Sequence, residues 1–127
     1  LVYVYSIHAR YCMNFVTEKA GLGCAVLVRA AEPLLGLEEM ARARGTDRST
    51  AWLSGPGKLC QALGVDRELN GIALSPKLGL WVEDDGWQCG PRQIRSTPRI
   101  GVTAAHKKRL RYVLRNSPYA SGPKYLR

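Results

Sequence analysis

The sequence predicts a mixed α+β fold: one domain over residues 1–127, in which short helices flank a curved, antiparallel and partly barrel-like β-sheet. Three observations lead to this prediction. Strand-like runs fill the opening third of the chain, two stretches near residues 35–44 and 55–63 have helical spacing, and a last strand-like run precedes the C-terminal tail. A length of 127 residues with 46% hydrophobic content suits a single domain with a modest core.

The first third of the chain has the patterns of three successive strands. Valine alternates with tyrosine through VYVY at residues 2–5, which is the period of two that a half-buried strand shows. A second apolar run covers residues 12–17, and a Gly-Leu-Gly turn separates it from a third run at 24–28. This third run is almost purely apolar, so we expect it to be central and buried. Because an unpaired buried charge is strongly destabilising, Arg29 at its end should require an anion.

Two short helices are predicted after the third strand. The first, near residues 35–44, has apolar residues at helical spacing and ends at Gly45. The second, near 55–63, begins after Ser54, a candidate N-cap, and carries Pro56 in its first turn. Its glycine-rich start leaves backbone N–H groups open, and such groups can hold a phosphate.

Strand patterns return in the second half of the chain. Residues 72–74 and 78–82 are predicted as short strands on either side of a Ser-Pro-Lys turn. In the last strand-like run, Leu110, Tyr112 and Leu114 alternate with arginines, so we expect an apolar face toward the core and a basic face toward solvent. The remaining tail is rich in turn residues and is predicted to be loop.

Positive charge is concentrated in the C-terminal third. Residues 1–90 carry nine Lys or Arg and ten Asp or Glu, whereas residues 91–127 carry ten basic residues and no acidic one. Because a solvated surface normally mixes both signs, this asymmetry predicts a surface that faces a polyanion, most commonly nucleic acid. No apolar run approaches the roughly 20 residues that span a bilayer. We therefore expect an intracellular protein, in the cytoplasm and nucleoid or in the nucleus, without a membrane partner.

The sequence predicts neither a metal site nor a cofactor. The four cysteines are widely spaced, lack a C-x-x-C pair and lie mostly in apolar runs, so we expect free, buried thiols in a reducing compartment. His8 and His106 do not complete a set of metal ligands. The cysteines are Cys12, Cys24, Cys60 and Cys89.

Four strings in the chain carry a resemblance to a known family. They are YVYSIHARYCMN, AVLVRAAEPLLGLEEM, SGPGKLCQALG and PRIGVT, in that order and followed by Leu110-Arg111-Tyr112. This ordered set resembles the alkyladenine (3-methyladenine) DNA glycosylase family and covers nearly the whole chain. The resemblance implies a monomeric enzyme of base excision repair. Such an enzyme flips an alkylated or deaminated purine out of double-stranded DNA and hydrolyses its N-glycosidic bond.

The resemblance also implies roles for residues of this chain. Tyr5 is expected to form one wall of the base slot, since a flipped base needs a π-face on which to stack. The amide of Asn14 is expected to discriminate among purine edges. Arg29 is expected beside the catalytic water and the target phosphodiester, which is an anion of the kind a buried arginine needs. Contacts to the DNA backbone are expected from Ser54, Lys58, Arg99 and Thr103.

Two departures from the family's pattern bear on function. Between the first two strands, SIHARY stands where many members have a tyrosine followed by glycine, so either Ile7 or His8 is expected to fill the gap that the flipped base leaves. The family's general base is a glutamate upstream of the YVY strand, and a carboxylate in that role supplies about 10²- to 10⁴-fold. We therefore expect an N-terminally truncated chain, the C-terminal part of the fold, that binds DNA but cleaves little. The glutamates that do not match are Glu18, Glu32, Glu38 and Glu39.

The alternative is a small basic β-rich module that binds nucleic acid, including RNA, without chemistry. It accounts equally well for the basic C-terminal third. It does not account for the ordered strings or for a buried strand that ends in Arg29. An enzyme that acts on a small phosphate-bearing substrate is a more distant possibility.

Overall fold

The structure, a computed structural model, describes residues 1–123. Single turns of 3₁₀ helix at Arg67–Leu69 and Pro76–Leu78 connect the last helix to the fourth strand. The fold is mixed α+β, as the sequence predicted. Its helices and strands follow in the order β1 (Val2–Ile7), β2 (Arg10–Val16), β3 (Ala25–Leu27), α1 (Leu37–Arg44), α2 (Ser49–Trp52), α3 (Pro56–Ala62), β4 (Ile94–Thr97) and β5 (Arg111–Leu114).

The strands form two separate antiparallel sheets, in place of the single curved, partly barrel-like sheet that we expected. One sheet has the order β1-β2-β3, and the other pairs β4 with β5. Within residues 1–123 neither sheet closes on itself, because no ladder joins the two ends of either sheet. None of the helices in this range combines the length and the apolarity that crossing a membrane requires.

The hydrophobic core lies between one face of the three-stranded sheet and the helices α1 to α3. Val2 and Val4 from β1 and Met13 from β2 are buried together with Met40 of α1 and Leu59 of α3. The alternation predicted for β1 is confirmed, because both valines enter this core. The two tyrosines of the VYVY run therefore lie on the opposite face of the sheet.

Both predicted helices are confirmed, as α1 and α3. Gly45 ends α1 with a left-handed φ of 62°, a conformation that glycine adopts without steric cost. The prediction that Ser54 caps α3 is wrong. Gly55 is the N-cap residue, and the hydroxyl of Ser54 instead donates to the carbonyl oxygen of Ala51 at 3.3 Å.

Strand β3 lies at the edge of its sheet, so the prediction of a central, buried strand is wrong. It pairs with β2 over three residues, and Val26 is 57% exposed. The central position belongs to β2, which has a strand on each side and the helices below it. Cys24 was expected to be buried and is exposed, whereas Cys12 and Cys60 are buried; all four cysteines are free.

Strand β5 has the opposite orientation to that predicted. Leu110 and Tyr112 are 56% and 68% exposed, whereas Arg111 is only 4% exposed. The guanidinium of Arg111 donates to the hydroxyl of Thr97 at 2.9 Å and to the carbonyl oxygen of Ser121. The alternation identified the strand but not its inward side, because in this two-stranded sheet polar partners, not an apolar layer, fill the inner face.

The segments at 72–74 and 78–82 do not form the predicted strands. The N–H of Val2 donates to the carbonyl oxygen of Ile72 at 2.9 Å and the N–H of Gly71 donates to the carbonyl oxygen of Val2 at 2.8 Å, but this pair of bonds does not extend into one of the described ladders. Between the two segments, Pro76–Leu78 forms a 3₁₀ turn. The predicted turn is therefore present, but the residues that flank it, Ser75 and Leu80, form only an isolated bridge.

Candidate active site and nucleic-acid interface

Tyr5, Asn14 and Arg29 lie on the face of the three-stranded sheet that is opposite the helices. Tyr5 pairs with Cys12 across β1 and β2, and Asn14 pairs with Leu27 across β2 and β3. Extending the second register by two residues places Arg29 beside Cys12. Because paired residues project to the same face, the side chains of Tyr5, Cys12 and Arg29 form a line across the sheet, called here the cross-sheet row.

The pKa values of Tyr5 and Arg29 depend on their neighbours in the cross-sheet row. Burial raises the pKa of Tyr5, and Cys12 adds to the rise through charge interaction and a side-chain hydrogen bond. Burial lowers the pKa of Arg29, while the charge interactions with Cys12 and Tyr5 oppose that change. At neutral pH the row therefore contains a neutral phenol and a charged guanidinium.

The guanidinium of Arg29 has few partners within the protein. Its Nη1 donates to the carbonyl oxygen of Ile100 at 3.4 Å, and its buried Nε has no hydrogen-bond partner in residues 1–123. Within the described part of the chain, no carboxylate is among the groups that shift its pKa. Ile100 in turn packs on Gly122, where an added Cβ would lie 2.7 Å from the Cδ1 of Ile100. Arg29 is therefore fixed by a carbonyl and keeps donors with which it can bind an anion.

The buried side chain of Asn14 is held through its amino group. Nδ2 donates to the carbonyl oxygen of Tyr3 at 3.0 Å and to that of Cys12 at 3.4 Å. No described residue donates to Oδ1. An amide held in this way presents a fixed acceptor to a ligand that carries an N–H group.

Ile7 and His8, the two residues expected to fill the gap left by the flipped base, lie at the tip of the β1–β2 hairpin. Ile7 pairs with Arg10, so His8 and Ala9 form a two-residue turn with φ values of 48° and 57°. Positive φ at both positions is typical of a type I′ turn, which fits the twist of a tight hairpin. Both Ile7 and His8 are exposed, His8 in the turn itself and Ile7 at the last pair of the ladder.

Ser54 and Lys58 line the same polar cavity, of about 280 Å³, between α2, the start of α3 and residues 118–122. A backbone bridge pairs Ser54 with Ala30, the residue after Arg29. The cavity therefore adjoins the cross-sheet row. Its polar side chains are Arg48, Thr50, Ser54 and Lys58.

Arg99 and Thr103 lie in the loop between β4 and β5. The guanidinium of Arg99 donates to the carbonyl oxygen of Ala104, so it folds back on its own loop. Thr103 is exposed. The loop meets the cross-sheet row through Ile100, whose carbonyl oxygen accepts from Arg29.

Sequence reasoning missed several polar residues around these sites. Arg48 immediately precedes α2 and Thr50 lies within it; the charge of Arg48 was a signal in the sequence, whereas the uncharged Thr50 gave none. Cys12 is buried and free, as expected, and its pairing with Tyr5 also brings it into the cross-sheet row, which the sequence did not indicate. Arg10 and Arg44 were not assigned a role, and they meet at one amide oxygen near the hairpin tip.

The predicted basic surface is present in part. Lys124 and Arg127 lie outside the described residues, and Arg111 is buried. No three His, Cys, Asp or Glu side chains in residues 1–123 are placed to hold a metal ion together. The exposed basic residues between 91 and 123 are Arg92, Lys107, Lys108, Arg109 and Arg115.

Comparison with known proteins assigns the chain to a family. A family model described as Methylpurine-DNA glycosylase (MPG) matches residues 1–118, most of the chain. The chain belongs to this family. The methylpurine-DNA glycosylase assignment confirms the resemblance found in the four ordered strings of the sequence.

Relatives of this methylpurine-DNA glycosylase chain have a shared name, "Putative 3-methyladenine DNA glycosylase". The protein from Rhodopirellula baltica is 39% identical over 132 residues, covering 95% of the chain and 54% of the relative. The one from Methanoculleus marisnigri is 44% identical over 121 residues, covering 94% and 63%. The one from Methanocella arvoryzae is 44% identical over 126 residues, covering 94% and 60%. The chain thus spans less than two thirds of the length of each of these relatives.

Proposed function

We propose that this chain acts in base excision repair, as a DNA glycosylase that removes alkylated or deaminated purines from double-stranded DNA. The damaged nucleotide is flipped out of the duplex, and the N-glycosidic bond is hydrolysed. The main support is that Tyr5, Asn14 and Arg29 share one sheet face in a chain of the methylpurine-DNA glycosylase family. The relatives' name, which specifies 3-methyladenine, supports an alkylated purine as the substrate.

Tyr5 and Asn14 recognise the flipped base. The half-buried phenol of Tyr5 stays neutral and provides a π-face, and a damaged base costs less to unstack than an intact, paired one. Asn14 offers Oδ1 as a fixed acceptor, because its Nδ2 is bound to backbone carbonyl oxygens. An acceptor at this position favours purine edges that carry an N–H donor.

Arg29 binds the phosphodiester of the flipped nucleotide. Its guanidinium is charged, half-buried and attached to the protein by one hydrogen bond to Ile100, so several donors remain for phosphate oxygens. Binding at this point holds the sugar of the flipped nucleotide over the sheet. Among the described residues, no carboxylate contributes to the pKa shift of Arg29, so none is placed beside it to activate water. The family resemblance assigns that role to a glutamate upstream of β1.

The remaining predicted site residues hold the duplex around the lesion. Ser54 and Lys58 bind the DNA backbone at their shared cavity, and Arg99 and Thr103 bind it from the β4–β5 loop. Either Ile7 or His8 fills the space that the flipped base leaves. The substrate is DNA with damaged purines, and the monomeric state and single-domain organisation over 1–127 stay predictions.

A binding experiment with a fluorescent lesion tests the proposal. Duplexes that contain 1,N6-ethenoadenine, an alkylated purine whose emission rises when it leaves the stack, are compared with undamaged duplexes. We expect tighter binding to the damaged duplex and a rise in emission. Arg29→Ala should reduce the emission change about tenfold and weaken binding to undamaged duplex much less, because its contact forms only with the flipped nucleotide.

Arg67→Ala is the matched control, since Arg67 is an exposed arginine on a 3₁₀ turn and has no part in the proposed contacts with DNA. It should leave the emission change unaltered. Equal affinity for both duplexes without an emission change would instead support the non-catalytic nucleic-acid-binding module. Release of the base by this chain alone should be slow; rapid release would overturn the assignment of the general base to an upstream glutamate.

A further inference from the structure

Two arginines converge on one amide near the hairpin tip. Nη1 of Arg10, the first residue of β2, donates to Oε1 of Gln61 at 3.3 Å. Nη1 of Arg44, the last residue of α1, donates to the same oxygen. Nε2 of Gln61 donates to the carbonyl oxygen of Ala43 at 2.9 Å, which fixes the amide with its oxygen toward both guanidiniums. Arg10, Arg44 and Gln61 are called here the arginine cradle.

The arginine cradle places two positive charges close together without a carboxylate. Within residues 1–123, neither Arg10 nor Arg44 hydrogen-bonds to an acidic side chain, and Gln61 carries no charge. The buried Nε of Arg44 has no hydrogen-bond partner in the same range. Like charges that share one neutral acceptor repel each other, and an anion bound between them offsets that repulsion and accepts the remaining donors.

The surrounding backbone makes room for the cradle. A Cβ added to Gly57 would lie 2.9 Å from Cδ and 3.1 Å from Cβ of Arg10, so only glycine allows the arginine to lie this close to α3. A cleft of about 370 Å³ opens at this point. Its lining includes Arg10, Tyr11, Gly57 and Gln61. The cleft is open to solvent and lies beside the hairpin tip.

We propose that Arg10 and Arg44 bind one phosphate of the DNA backbone, with Gln61 as the residue that positions both guanidiniums. The proposal rests on the proposed function, in which the hairpin tip enters the duplex. Arg10 lies two residues after His8, so a tip inserted in the duplex brings the cradle to the adjacent backbone. Arginine pairs bind phosphate oxygens with several donors in a fixed plane, which suits a phosphodiester.

The salt dependence of binding to undamaged duplex tests this assignment. Arg10→Ala and Arg44→Ala should each weaken binding about fivefold to tenfold at low salt, as the loss of a charge-assisted hydrogen bond predicts. Their effects should combine less than additively, since both contact one phosphate. The double variant should reduce the slope of log K against log salt by about 0.9, the value for one phosphate. Arg42→Ala is the matched control and should keep the wild-type slope, because Arg42 is an exposed arginine on α1 outside the described hydrogen bonds of Gln61.

Gln61→Glu separates a binding role from a structural one. The new carboxylate should pair with both arginines and so lower DNA affinity, while the loss of the Nε2 donor to the carbonyl oxygen of Ala43 offsets the gain in Tm from the new ion pairs. A residue that only supports the fold would move the Tm and leave the affinity unchanged. Wild-type affinity and slope in both Gln61→Glu and the double arginine variant would overturn the proposal.

Two further measurements distinguish failure of the cradle proposal from failure of the proposed function. The ratio of affinities for damaged and undamaged duplex should stay within about twofold of wild type in all cradle variants, because the cradle contacts only the backbone. Absence of any lesion preference in the wild-type chain would count against the proposed function, whereas an unchanged salt slope in the double variant would count against the cradle. Inorganic phosphate that raises the Tm of the wild type but not of the double variant, with duplex affinity unchanged, would assign the cradle to free phosphate and overturn the DNA assignment.

Discussion

Cys12 connects the residue that is proposed to stack on the base with the residue that is proposed to bind its phosphate. It pairs with Tyr5 across β1 and β2 and acts on the pKa of Arg29 from the other side. A thiol is small enough to leave both neighbours close to each other. The residue at position 12 therefore affects the site, although it has no polar role of its own in the proposed reaction.

The ionisation of one residue, Cys60, should make the stability of the fold depend on pH. Burial raises the pKa of this α3 thiol from 9.0 to about 11. The folded state therefore holds the proton more tightly than the unfolded state, and the resulting stability is complete below pH 9 and is lost as the pH rises from about 9 to about 11. Cys60→Ala should flatten the fall of Tm over this interval, although it lowers the Tm overall by opening a cavity.

Thermal unfolding of both proteins across this pH interval measures the effect. Other groups titrate in the same range, but they are common to the two proteins and cancel in the difference. Parallel curves for wild type and Cys60→Ala would contradict a raised pKa for this thiol.

At the scale of elements, the β4–β5 hairpin depends on a buried cation. Arg111 donates to Thr97 of β4 and to the backbone at Ser121, so it joins both strands to the segment that follows. Arg111→Leu should cost about 3 kcal/mol of unfolding free energy, because buried carbonyl and hydroxyl groups lose a charged donor. Tyr112→Ser, one residue away and exposed, should change stability by less than about 0.5 kcal/mol.

Urea unfolding of the two variants measures these costs. Equal losses would mean that β5 packs through its apolar residues, as the sequence alone predicted. A larger loss for Tyr112→Ser would have the same meaning and would contradict the buried role of Arg111.

Local patterns predicted β1, β2, α1 and α3, because alternation, helical spacing and glycine stops are properties of neighbouring residues. The same patterns failed where contacts with distant parts of the chain decide which strand is central or which strand face is buried. The apolar sequence of β3 did not show that β2 takes the centre of the sheet, and the alternation in β5 did not show which side has partners. Strand β4 was missed because it contains a single large apolar residue, Ile94, and is defined by its pairing with β5.

The candidate site divides in the same way. Tyr5 and Asn14 were found because they lie in a string that resembles the family, and the hairpin register then places them on one face. The contact between Arg29 and Ile100 joins residues that are far apart in sequence, so no local pattern contains it. The arginine cradle is similar, since Arg10, Arg44 and Gln61 come from three different elements.

At the scale of the whole molecule, the charge distribution predicts how DNA binding responds to salt. The chain has a formal charge of +9, and the exposed basic residues of the β4–β5 loop include Lys107 and Lys108. Lys107→Gln combined with Lys108→Gln should weaken binding to any duplex and reduce the salt slope by up to about 1.8, or 0.9 for each phosphate that a lysine no longer neutralises. The preference for damaged DNA should stay unchanged, because interactions with phosphate carry no base information.

Titration of labelled duplex at several salt concentrations measures both quantities. A control with Arg42→Gln and Arg67→Gln removes the same charge from elements outside the proposed interface. If the control and the lysine variant show the same reduction in slope, the basic loop does not form a specific interface, and only total charge governs binding.

The contact between Ile100 and Gly122 affects how the site would respond to proteolysis. Arg29 is held from two directions: it follows β3 by two residues, and its guanidinium donates to Ile100 in a loop that contacts Gly122. A protease cut between β5 and Gly122 would remove the support of Ile100 and make the guanidinium of Arg29 more mobile. The cut would lie in a segment that contributes no side chain to the base slot. An intact segment around Gly122 is thus required to hold Arg29 in place, although the two residues are far apart in the sequence.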